Sequence, residues 1–177
     1  MIKMKNSSKV LKQYVDEHLA SESEFIPGKS YVKLIEPSFD SDEIIEAIDS
    51  LISTNVTMGK KVKKFEDLFT KYLDTKYSSM VNSGSSANLL ALSALTSPLL
   101  GERQLKPGDE VITVAAGFPT TINPIIQNGL VPTFVDVNLG DYGIDVELME
   151  KAMSPNVKAV MLAHTLGNPF NLGKVTD

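Results

Sequence analysis

Ser78–Ala94, SSMVNSGSSANLLALSA, is the stretch from which the fold is read. Two apolar residues, Met80 and Val81, lead into the small polar run Asn82-Ser83-Gly84-Ser85-Ser86. That run opens into Ala87-Asn88-Leu89-Leu90-Ala91-Leu92, a helix-favouring segment. Strand, glycine turn and helix start follow one another. The first turn of a helix leaves N–H groups without intrahelical acceptors, and the positive end of its dipole faces the same way. Such a start holds an anion, a phosphate first among them. It is equally an ordinary strand-to-helix turn with Ser83 or Ser85 as the N-cap.

Downstream, the same texture repeats. Tyr77–Val81 reads as a buried strand and residues 85–96 as the helix that follows it. Lys106–Asp109 is a turn, Glu110–Val114 a strand, and Pro119–Gln127 a short helix with proline in its first turn. Val131–Val137 and Val157–Ala163 are further strands, with a helix at Asp145–Met153 between them. Apolar strands alternating with helices describe βαβ units in a mostly parallel sheet covered on both faces, an α/β fold. Upstream lie helices instead. Residues 7–20 carry Val10, Leu11, Tyr14, Val15 and Leu19 on one face. Ser21–Lys29 is a linker ending in a Pro27-Gly28 turn, and Tyr31–Ile35 is briefly extended. A helix at 41–53 takes Ser41 as its cap, and one at 61–74 turns Val62, Phe65, Leu68, Phe69, Tyr72 and Leu73 inward. The domain division expected is an N-terminal helix and linker over 1–30, then a cofactor-binding domain over 31–177.

Composition narrows the function classes. The chain has 177 residues, 42% hydrophobic and 22% charged, as ordinary globular proteins do. A net charge of −5 argues against nucleic-acid or anionic-membrane partners. No run is apolar and long enough for a membrane span or a signal peptide, so the expected setting is cytoplasmic. With no cysteine there is neither disulfide nor Fe–S ligation in this stretch, and His18 and His164 alone make no zinc site.

In open α/β sheets, ligands bind beyond the carboxyl ends of the strands. Three loops are expected there. The first is the cradle Asn82–Ser86. The second, Ala115–Thr120, sets Phe118 among small residues, where it is either core or a face for a planar ligand. The third, His164–Asn171, offers the amides of Asn168 and Asn171. Phosphate site, ring face and ring-edge partners together suit flavin mononucleotide and pyridoxal phosphate alike.

Three segments carry a resemblance: VNSGSSANLLALSALTSPLLG (81–101), LKPGDEVITVAAGFPTTINPIIQNGLVPTFVDV (105–137) and AVMLAHTLGNPF (159–170). They resemble the DegT/StrS sugar aminotransferases, which are fold-type I pyridoxal-phosphate enzymes with the aspartate-aminotransferase-like large domain. The branch most similar is that of the CDP-4-keto-6-deoxyglucose 3-dehydrases, which Phe25-Ile26-Pro27-Gly28 and Thr57-Met58-Gly59 also resemble. The resemblance implies that Gly84, Ser85 and Ser86 hold the cofactor phosphate. It places Phe118 on the pyridine ring and Asn168 near the ring's 3′ oxygen. Asn171 falls where the family normally has an aspartate facing the pyridine nitrogen. An amide there holds the ring proton less firmly, which weakens the electron sink.

The family's Schiff-base lysine, or the histidine of the dehydrases, falls in no segment matched here, nor do the dehydrases' Fe–S cysteines. The chain therefore reads as the front part of a longer enzyme of dideoxysugar and lipopolysaccharide synthesis, with no catalytic residue of its own. The cofactor expected is pyridoxal or pyridoxamine 5′-phosphate, with a [2Fe-2S] cluster only in the missing part. The expected partners are a nucleotide sugar, a second copy of the chain and an Fe–S flavin reductase. The alternatives are a nucleotide-sugar aminotransferase and a non-catalytic phosphate-binding or interaction module.

Overall fold

The computed structural model describes residues 7–20, 25–33, 38–54, 56–57 and 59–176. The chain forms two compact units, Met1–Ser78 and Ser79–Asp177.

The first unit holds α1 (Ser7–Ala20), α2 (Ser41–Ile52) and α3 (Lys60–Tyr72). Val15 of α1 is buried, and Lys12 Nζ lies 2.7 Å from Asp42 Oδ1 at the start of α2. The cap of α2 is Asp40, not Ser41. Asp40 accepts the Asp42 N–H at 2.8 Å, and its own N–H donates to the Glu43 carboxylate at 2.8 Å. This capping box puts two carboxylates at the positive end of the helix, while Ser41 becomes its buried first residue.

In α3 the structure corrects a second expectation. The apolar stripe is open within its own unit, with Leu68 58% and Tyr72 84% exposed. Phe65 and Phe69 stack on each other instead, centroids 5.4 Å apart. A helical period shows which face could be buried, not that a neighbour covers it. Lys61 ties the start of α3 to α2, with Nζ 2.7 Å from Glu46 Oε2 and 2.9 Å from Asp49 Oδ2. These hydrogen bonds, that to Glu46 first, raise the Lys61 pKa above its ordinary value. The Pro27–Lys29 turn forms with Gly28 at φ +78°, while Tyr31–Lys33 has no regular structure. The rest of the linker (21–24) and of the extended piece (34–35) lies outside the described residues.

The second unit contains a three-stranded parallel sheet, β1 (Glu110–Val114), β2 (Val131–Val135) and β3 (Val157–Val160), in the order β2-β1-β3. Its helices are α4 (Gly84–Leu95), α5 (Pro119–Gln127), α6 (Val146–Ala152) and α7 (Leu172–Thr176). Tyr77–Val81 is not a strand. A strand exists through its ladder, and among the described residues none pairs with this segment. β2 and β3 also end earlier than the apolar runs suggest, and Val137 pairs with Ile144 in an isolated antiparallel bridge.

The central strand feeds both faces. Val111 packs with Leu92, Leu105, Ile125 and Leu130, including residues of α4 and α5. Ile112 and Val114 pack with Val135, Ile144 and Met149, the last from α6, with Val175 of α7 against them. Thr113 is fully buried with no hydrogen-bond partner for Oγ1 among the described residues. Ile112→Ala is expected to lower the unfolding free energy by about 2–5 kcal/mol. Thr113→Val, which removes an unpaired hydroxyl, is expected to raise it by about 1 kcal/mol. A urea titration reads both.

Candidate functional site

The cradle begins at Ser83. Its backbone is extended (φ −163°, ψ 162°), and its Oγ accepts the Ser86 N–H at 3.2 Å while bonding the Ser86 hydroxyl at 3.2 Å. Ala87 N–H turns back to the Ser83 carbonyl at 3.0 Å. Ser83, rather than Ser85, is thus the N-cap, and Ser86 is bound into the cap. Among the described residues, the N–H groups of Gly84 and Ser85 meet no acceptor, as the geometry of a helix start requires. No acidic side chain stands in the first turn to repel an anion. Ser85 and Ser86 line a groove of about 160 Å³ with Thr120, Asn123 and Gln127 of α5.

A second recess, about 450 Å³, opens beyond the carboxyl ends of β1 and β3. Phe118, Gly117 and Val114 form one side, and Tyr142, His164 and Leu166 are among the residues on the others. Phe118 is the N-cap residue of α5, with Pro119 at the first helical position, and its side chain is 73% exposed. Pro119 suits that position because the N–H it lacks would be an orphan there anyway.

Two other loops enter with strained backbones. Tyr142 (φ 59°) and Leu166 (φ 54°) are non-glycine residues in the left-handed region, and both line this cleft. Such conformations cost on the order of 1–2 kcal/mol and persist where surrounding contacts impose them. The Tyr142 turn is closed by its own N–H to Asn138 C=O (3.1 Å) and by Gly143 N–H to Asp141 Oδ1 (2.8 Å). The His164 ring rests on Phe170, centroids 4.3 Å apart.

The candidate residues therefore fall into separate places. Phe118 and the loop from His164 meet in one cleft. Gly84, Ser85 and Ser86 belong to α4, and the two serines line a separate groove that shares no lining residue with the cleft. Asn168 and Asn171 line neither recess. Asn168 Nδ2 donates to Asp141 C=O at 3.1 Å, joining its loop to the Tyr142 turn. Asn171 Oδ1 accepts the Lys174 N–H at 3.2 Å at the start of α7. Sequence reasoning passes over the cleft residues Tyr142 and Thr121. Only Tyr142 carried a local signal, the turn-forming Gly140-Asp141-Tyr142-Gly143.

A larger cleft of about 700 Å³ lies in the N-terminal unit between α2 and α3, lined by Ala47, Leu51, Val56, Gly59 and Val62 among others. It gathers none of the candidate residues. Among the described residues, no group of three or more His, Cys, Asp or Glu could hold a metal ion, and no helix is long and apolar enough to cross a membrane.

Comparison with known proteins places this arrangement. The DegT/DnrJ/EryC1/StrS aminotransferase family model matches residues 37–177, and the chain belongs to that family. It is 44% identical over 170 residues to dTDP-4-dehydro-2,6-dideoxy-D-glucose 3-dehydratase of Saccharopolyspora spinosa, covering 96% of this chain and 37% of that protein. It is 49% identical over 168 residues to the lipopolysaccharide biosynthesis protein RfbH of Salmonella typhimurium, covering 95% and 38%. Among solved structures, E. coli GDP-4-keto-6-deoxy-D-mannose-3-dehydratase with bound hydrated PLP aligns with a TM-score of 0.72 at 38% identity. That alignment covers 81% of this chain and 36% of that one. The chain thus spans little more than a third of the length of these relatives. The fold is that of these dehydratases, a parallel sheet with flanking helices preceded by further helices.

Ser83→Ala removes the acceptor that holds Ser86 N–H. It is expected to cost about 1 kcal/mol of stability, read as a lowered melting temperature.

Proposed function

We propose that this chain is the N-terminal, cofactor-binding part of a nucleotide-sugar 3-dehydratase that uses pyridoxal or pyridoxamine 5′-phosphate. Its substrate would be a 4-keto-6-deoxyhexose carried on a nucleotide, CDP in our reading, which loses its C3 hydroxyl in dideoxysugar synthesis. One observation carries the reading. In a chain 44–49% identical to two relatives, one of them a 3-dehydratase, the N–H groups of Gly84 and Ser85 meet no acceptor among the described residues, at a helix start with no acidic side chain.

The start of α4 and the exposed ring of Phe118 suit the group, while Asn168 and Asn171 stand outside both recesses. The N–H groups of Gly84 and Ser85, with the hydroxyls of Ser85 and Ser86, would hold the phosphate at the positive end of α4. Phe118 would lie against the pyridine ring. An asparagine amide has two N–H donors, so Asn168 keeps one for the ring's 3′ oxygen beside the bond to Asp141. Asn171, bonded to the Lys174 N–H at the start of α7, would have to turn to meet the pyridine nitrogen as a neutral partner. When bound, the cofactor would supply an electron-withdrawing ring able to take up negative charge as the C3 hydroxyl leaves. In this reading residues 31–177 belong to the large domain and 1–30 are a leading helix and linker. The Fe–S cluster and the proton-transferring base would lie in the rest of a cytoplasmic enzyme, whose partners would be a second copy of the chain and an Fe–S flavin reductase.

Absorbance titration of the full-length protein with pyridoxal 5′-phosphate is expected to saturate, and Phe118→Ala to weaken that binding about tenfold. Saturation with loss of the C3 hydroxyl from a 4-keto nucleotide sugar, given a reductase, supports the dehydratase. Formation of an amino sugar from glutamate assigns an aminotransferase instead, and no saturable binding leaves a non-catalytic module. The 177-residue chain alone is expected to turn over no substrate, since neither the family's Schiff-base lysine nor the histidine of the dehydrases falls in any segment that carries the resemblance.

A further inference from the structure

α5 carries a proline in its interior, Pro124, which is fully buried. Proline has no N–H, so the carbonyl four residues earlier, that of Thr120, loses its intrahelical donor. Left unpaired in a half-buried place, that carbonyl would destabilise the fold. Another helix supplies the donor. Asn88 Nδ2 of α4 reaches Thr120 C=O at 3.1 Å, and both residues are half-buried. Further along the same pair of helices, Ser93 Oγ donates to Asn128 Oδ1 at 3.0 Å, and Asn128 Nδ2 donates to Pro124 C=O at 2.7 Å. α4 and α5 are therefore pinned by side chains at two levels.

The upper pin has a particular place in the site. Asn88 stands one turn after Ser85 on α4, and Thr120 two residues after Phe118 on α5. The two proposed contacts to one cofactor begin different helices, and this hydrogen bond links those two beginnings. We infer that Asn88 is a positioning residue that sets the spacing between the phosphate cradle of α4 and the ring-stacking Phe118 of α5. The inference rests on the cofactor reading above. Asparagine suits the role because its short stem leaves the amide little freedom, and its donor matches an acceptor that Pro124 has released.

The bland rival is that Asn88 merely satisfies a carbonyl. Pro124→Ala separates the two, because alanine at 124 restores an N–H that pairs with Thr120 inside α5. The test compares the full-length protein as wild type, Asn88→Ala, Pro124→Ala and the double variant. The readouts are melting temperature without cofactor, the dissociation constant for pyridoxal 5′-phosphate, and the induced circular dichroism of the bound cofactor. Asn88→Ala is expected to lower the melting temperature, weaken binding about tenfold and alter the dichroism. In the double variant the melting temperature is expected to recover while affinity and dichroism do not. Should Asn88→Ala fail to fold, the double variant against Pro124→Ala makes the same comparison, since Thr120 is paired in both.

Recovery of affinity and dichroism together with the melting temperature would overturn the inference, as would unchanged binding in Asn88→Ala. If wild type shows no saturable binding, the cofactor reading fails and this inference with it. If wild type binds and the variants bind alike, only the inference fails.

Discussion

Burial of β1 on both faces is the constraint on which the C-terminal unit depends. Val111 and Ile112 are each 0% exposed, yet they point into different clusters, one shared with α4 and α5 and the other with α6. A slip of one residue would exchange the two sets, and ladders to β2 and β3 hold the strand from both edges. The carboxyl end of β1 is therefore fixed at Val114. Gly117 and Phe118 leave the sheet beside the place where the chain leaving β3 arrives. The cleft is a consequence of that register.

The walls of the cleft show how local chemistry and tertiary context share the work. In α5 one proline stands at the first helical position, where its missing N–H costs nothing. The other stands in the interior, where the missing N–H must be replaced, and α4 replaces it through Asn88. In the loops, Tyr142 and Leu166 accept left-handed backbones that their side chains disfavour. The Asn168 bond to Asp141 joins the two loops that carry them. Their strain is sustained by neighbours rather than by their own preferences.

Where sequence and structure disagree, the failures share a cause. The spacing of Phe65, Leu68, Phe69 and Tyr72 identified α3 correctly as a helix, but its apolar face is open within its unit. Tyr77–Val81 has the composition of a strand and no ladder. Ser41 is a residue type that caps helices, but the capping box assembled one position earlier, on Asp40 and Glu43. In each case the local pattern was sound and the missing information was a partner.

The sequence by itself determined the order of α-helices and strands from Gly84 to Val160, the ends of β1 and α5 to the residue, and a serine cap at the start of α4. All of these follow from periodicity, glycine and proline placement and capping chemistry, which act over a few residues. The family resemblance was equally legible, in residues 81–101, 105–137 and 159–170. Only the tertiary structure decided that the cap is closed between Ser83 and Ser86, and that Asn168 and Asn171 turn to Asp141 and Lys174. The same holds for Tyr142 at the cleft and for the reach of Asn88 to Thr120 across 32 positions of chain. A hydrogen bond needs both of its groups in place, and for the contacts between loops and helices the fold alone brings the second group near.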